Sequence, residues 1–182
     1  MTIAVDPLGK ERVHDRDMYL VTIDRLGEWP EVRPRFDFVT TLIALDAREL
    51  ADAEILDVAD QMIRAHCGYV SAWGPDCERV HDLYDDARLL AELGPEKLLP
   101  EELLFLMTTS HADETLHEAL WYALHALPTD RSKGFNYEGA GMPPFVAVTT
   151  SPDWAHQIRR RLLDRGTFAA EILSKDSDQR HN

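Results

Sequence analysis

Residues 102–127 read ELLFLMTTSHADETLHEALWYALHAL. Leu103 to Met107 is continuously apolar, Thr108 to His111 is a polar junction, and residues 112–127 repeat apolar side chains at helical spacing. A strand with no alternation has no wet face, so it must be covered on both sides. Such a strand running straight into an amphipathic helix is the pattern of a buried parallel strand in an α/β fold.

The flanking sequence repeats this unit. Tyr19–Ile23 (YLVTI), Phe36–Leu45 (FDFVTTLIAL), Cys67–Trp73 (CGYVSAW) and Phe145–Thr150 (FVAVTT) read as strands. Helical periodicity predicts helices over about 47–66, 77–93 and 152–165. Asp46 with Glu49 reads as an N-terminal cap for the first, Ser110 with Asp113 for the helix after residue 111, and Ser151 with Pro152 for the last. The expected fold is a single-domain three-layer α/β sandwich. It has a mainly parallel sheet of four to five strands, Rossmann-like or flavodoxin-like without a nucleotide-binding fingerprint. Residues 1–18 are expected to be a loosely held polar arm, 19–173 the domain and 174–182 a polar tail. The order resembles doubly wound α/β domains in general over most of residues 36–165, and this pattern carries no catalytic residue with it.

The charge balance narrows the function. With 33 acidic and 19 basic residues the formal net charge is −14. Such a surface disfavours nucleic acid and anionic membranes and suits a basic protein partner. The helix at 47–66 presents Asp52, Glu54, Asp57 and Asp60 away from its apolar stripe, offset only by Arg48 and Arg64. The helix at 77–93 presents Asp82, Asp85 and Asp86 in the same way. Solvated faces and a docking surface are the two readings of these rows. His117 and Trp121, one turn apart beside His125, add an aromatic patch. No run of 18 apolar residues occurs, no signal-peptide pattern opens the chain, and Cys67 and Cys77 stand outside any CxxC spacing. A cytoplasmic protein with reduced thiols is expected.

Three strand-to-helix junctions should share the carboxyl edge of the sheet, where ligands of open α/β sheets bind. They carry Asp76 and Cys77, His111 and Asp113, and Asp153. Converging carboxylates and an imidazole could hold a divalent metal or work as acid and base. Capping and helix-end electrostatics explain the same residues without a ligand. Cys77 with His81 one turn on is a candidate nucleophile pair, against the commoner inert buried thiol. GxGxxG, a Walker motif, HExxH and GxSxG are all absent. No cofactor is specified, and a homo-oligomer stays open. The leading expectation is an acidic interaction or regulatory protein that neutralises a basic partner, in the manner of an immunity or antitoxin protein. The alternative is a small-ligand or nucleotide-related binding protein, or a metal-dependent enzyme, using the carboxyl edge.

Overall fold

A computed structural model describes residues 3–11, 15–32, 39–65, 67–93, 107–125 and 143–164. The strands are β1 (Ala4–Lys10), β2 (Asp17–Thr22), β3 (Thr40–Ala44), β4 (Tyr69–Trp73), β5 (Met107–Ser110) and β6 (Phe145–Thr149). The helices are α1 (Trp29–Val32), α2 (Asp52–Arg64), α3 (Cys77–Leu93), α4 (Leu116–His125) and α5 (Pro152–Leu163). The strands form one six-stranded sheet in the order β1-β2-β6-β3-β4-β5. Among the described residues only the β1–β2 pair is antiparallel.

The strands alternate their buried side chains between two cores. Val21, Ile43, Val70 and Val148 face α2 and α3, where Ile55, Val58, Val80 and Tyr84 meet them. Leu20, Leu42, Phe145 and Ala147 face α4 and α5 through Leu120, Leu124, Ile158 and Leu162. Each large apolar side chain taken out of water contributes about 1.5–3 kcal/mol. The three-layer α/β sandwich is therefore present, with one strand more than expected.

The extra strand is β1, drawn from the stretch read as a loose arm. Its sequence AVDPLGK holds a proline and a glycine, and the register shifts between Pro7 and Gly9. An outermost strand tolerates both, since one side of its backbone has no ladder to complete. The strand expected to be buried, at 103–107, is described only from Met107: β5 spans Met107–Ser110 and is an edge strand with partly exposed side chains, because only β4 pairs with it among the described residues. Residues 94–106, 126–142 and 165–182 lie outside the described residues.

Two caps also differ from the sequence reading. Ser110 and Asp113 do not open a helix, because Ser110 ends β5 and a turn intervenes. Thr115 caps α4 instead: Glu118 N donates to Thr115 Oγ1 at 3.3 Å, and Thr115 N donates to Glu118 Oε2 at 2.9 Å. This reciprocal capping box ties up two backbone donors that the helix leaves free. Helix α2 begins at Asp52, not 47, and Asp46 instead accepts from Arg48 N at 3.2 Å and Arg48 Nε at 2.9 Å. Ser151 does cap α5, accepting from Trp154 N at 3.3 Å.

Gly74 is fixed by its surroundings. Its φ is +115°, and a Cβ added there would lie 2.2 Å from Leu45 O. Gly74→Ala is therefore expected to destabilise the fold by about 2 kcal/mol or more, measured by urea denaturation. Thr115→Ala, which removes a cap, is expected to cost about 1 kcal/mol in the same assay, and Ser110→Ala clearly less.

Candidate functional site

The parallel strands bring the junctions after β4, β5 and β6 to one edge of the sheet, as the sequence requires. Backbone bonds hold them in place: Leu45 N to Trp73 O at 3.1 Å, Ala47 N to Pro75 O at 3.0 Å and His111 N to Ala72 O at 3.0 Å. The indole of Trp154 meets that of Trp73 edge-on at 5.0 Å. Trp73 Nε1 donates to Glu114 O at 2.8 Å, pinning the turn before α4 to the end of β4.

The candidate residues share this edge without forming one site. Asp76, at φ +66°, belongs to an arginine clamp on the α2–α3 side. Arg79 Nε donates to Asp76 Oδ2 at 2.7 Å and Nη1 to Asp52 Oδ1 at 2.5 Å, while Nη2 reaches Ala47 O and, at 3.2 Å, Leu50 O. Asp113 and Asp153 are exposed, in the turn before α4 and in the first turn of α5. Among the described residues no group of three His, Cys, Asp or Glu side chains could hold a metal ion. The expected metal-binding convergence of Asp76, His111, Asp113 and Asp153 is therefore not formed. The sheet lies between the clamp at Asp76 and the α4 face to which His111 turns, so shared edge position does not become shared space.

Cys77 opens α3, but its side chain is buried. Burial raises its thiol above the ordinary range. The imidazole of His81 turns to Asp82, with Nδ1 at 3.2 Å from Oδ1, and to Asp85, with Nε2 at 3.9 Å from Oδ2. The Cys77–His81 nucleophile pair is not assembled.

His111 has the most developed surroundings. Its side chain is 3% exposed. Nδ1 lies 2.9 Å from Glu114 Oε2, and Nε2 lies 3.1 Å from Thr109 Oγ1. Thr109 Oγ1 accepts from Tyr69 OH at 3.2 Å and lies 3.2 Å from Ser71 Oγ. The Tyr122 ring covers the imidazole at 4.9 Å. Burial holds the Tyr69 phenol well above its usual range, which keeps it a donor. Of these residues only His111 is a candidate from the sequence; Thr109, Ser71, Tyr69 and Glu114 sit in no motif that marks them. Alternation was the available signal: Tyr69 and Ser71, like Thr109 and His111, are two apart and share a sheet face. The missing fact was the register, which sets Ser71 opposite Thr109.

The acidic rows are neighbours. Helices α2 and α3 pack side by side on one sheet face. Asp57, Asp82 and Asp86 are exposed there. Asp52 is paired with Arg79 and Asp60 with Arg64, while Asp85 accepts from Thr108 Oγ1 at 2.7 Å. On the opposite face, His117 is half-buried and Trp121 packs against the second core. Trp121 also stacks on His125 at 4.9 Å. No helix among the described residues is long and apolar enough to cross a membrane.

A family model described as a domain of unknown function (DUF7684) matches residues 18–134, more than half of the chain. No curated protein matches, and no solved structure matches.

The cysteines generate a pH prediction. Burial pushes the Cys67 thiol up to about 11 from 9.0, with hydrogen bonds involving Thr41 and Tyr69 opposing the rise. In the unfolded chain this thiol ionises near its ordinary value, while the folded chain keeps the proton. The unfolded state then binds fewer protons over this interval, so stability falls as pH rises through it. Urea titrations at several pH values should show this decline, and Cys67→Ala should flatten it. Tyr69 and Tyr84, also raised by burial, leave the variant a residual slope.

Proposed function

We propose, for this member of the DUF7684 family, that it is an acidic interaction protein which engages a basic protein partner through the outer surfaces of α2 and α3. One observation supports the reading: α2 and α3 lie side by side on one sheet face, which brings acidic residues separate in sequence to the same side of the molecule. Asp57, Asp82 and Asp86 are its exposed charges, with Asp52, Asp60 and Asp85 alongside. The net charge of −14 extends the same field over the whole protein. A field of this kind acts on the rate of encounter, because exposed pairs contribute only about 0–1 kcal/mol each. Neutralising a basic protein, as an immunity or antitoxin protein does, is the role that fits. The free, buried Cys67 and Cys77 fit a reducing compartment, and the cytoplasm is the proposed location.

A second reading keeps the carboxyl edge of the sheet as a small-molecule site. The linked Glu114, His111 and Thr109 side chains favour it over the separated carboxylates.

Capture of a basic partner from native lysate at low salt, with release at high salt, is the expected result for the interaction reading. Absence of a partner at both salts, at near-native concentration, counts against it. With the partner in hand, Asp57→Lys, Asp82→Lys and Asp86→Lys combined should leave folding intact. Stopped-flow association should slow by about tenfold or more and lose much of its salt dependence. An unchanged on-rate would refute the steering role of this face.

A further inference from the structure

Glu114, His111 and Thr109 stand in the order carboxylate, imidazole, hydroxyl, linked at 2.9 Å and 3.1 Å. A carboxylate can only accept, so the bond to Glu114 places the ring proton on Nδ1 and leaves Nε2 to accept from the Thr109 hydroxyl. This is the relation that activates a hydroxyl nucleophile: a base within hydrogen-bond reach, itself oriented by a third group. Two further donors converge on the same oxygen. Tyr69 OH and Ser71 Oγ each lie 3.2 Å from Thr109 Oγ1, long for hydroxyl–hydroxyl bonds and therefore weak. Such donors can transfer to an oxyanion forming beside Thr109 at little cost.

We propose that Thr109, His111 and Glu114 form an acyl-transfer site that hydrolyses small esters. The hydroxyl comes from strand β5 rather than from a strand-to-helix elbow, which is why no GxSxG motif announces it. Thr109 is half-buried and the Tyr122 ring over His111 is partly exposed, which restricts any acyl group reaching the hydroxyl to a small one. The exposed Asp113 and the charge of −14 select neutral or cationic esters over anionic ones.

In the first half-reaction Thr109 Oγ1 bonds to the ester carbonyl carbon, and its proton moves to His111 Nε2. Glu114 stabilises the imidazolium, while Tyr69 and Ser71 donate to the carbonyl oxygen. The bond to the leaving alcohol then breaks, and that oxygen takes the proton from Nε2. In the second half-reaction water bonds to the acyl carbon and gives a proton to Nε2. The bond to Thr109 breaks, and the proton returns to its oxygen. The net change is ester plus water to carboxylic acid plus alcohol.

p-Nitrophenyl acetate and p-nitrophenyl butyrate test this on the full chain. The expected result is a burst of nitrophenolate, with the acyl group mapped by peptide mass spectrometry to Thr109. Thr109→Ser should keep the burst and Thr109→Val should abolish it. His111→Gln should slow acylation about 10²-fold or more. Glu114→Gln, which alters a positioning residue, should lower kcat about tenfold or more with KM unmoved and the circular dichroism spectrum unchanged. Acyl groups found only on lysines or the N-terminus, or an equal rate in Thr109→Val, would overturn the proposal. If Thr109→Val does not fold, adduct mapping on the unaltered protein decides alone. Because these residues lie across the sheet from α2 and α3, failure here leaves the basic-partner reading untouched.

Discussion

The ladder that β6 makes with β2 on one side and β3 on the other holds the molecule together. Phe145 to Thr149 pair in register with Met18–Thr22 and with Thr40–Ala44, and all five side chains are buried. Strands β2 and β3 are close in sequence, yet β6 separates them. Neither core is continuous until the last strand arrives. That makes the sheet a product of long-range contacts, an arrangement that slows folding because a long loop must close before its contacts form.

Around that ladder, buried polar groups serve as ties between elements. Arg16 is fully buried at the amino edge of the sheet. Its Nη1 donates to Leu124 O at 2.9 Å, its Nη2 reaches Thr40 Oγ1, and its guanidinium lies over the Phe145 ring at 5.6 Å. One side chain thus joins the end of α4 to the starts of β3 and β6. At the opposite edge Arg79 does the same for α3 and the loop before α2, through two carboxylates and two carbonyls. The fold therefore uses arginine where planar, multiple donors are needed, and leaves much of its acidic excess on helix surfaces.

The two functional readings occupy different faces for a structural reason. The helices after β3 and β4 cover one face, and those after β5 and β6 cover the other. The ends of β4 and β5 are therefore adjacent while the chain leaves them in opposite directions. That divergence leaves Asp76 in the clamp with Asp52 and turns His111 under Tyr122. A basic partner on α2 and α3 and a small molecule beside Thr109 would not compete for the same residues.

The sequence by itself determined the layer architecture, because periodicity is a local property. Continuous apolar runs such as FVAVT and the helical stripe of α2 register burial residue by residue, whatever they pack against. It also determined the Ser151–Pro152 cap and the acidity of the α2 and α3 outer surfaces, both written within a few neighbouring residues. Strand β1 was illegible because an edge position relaxes the rules that Pro7 and Gly9 break elsewhere. Only the tertiary structure decided the central place of β6 and the register that sets Ser71 against Thr109. Strand order and register depend on pairing between segments far apart in the chain, and local pattern carries no record of which segments pair. For the same reason a shared sheet edge did not imply a shared site for Asp76 and His111. The direction in which each helix leaves its strand settled that.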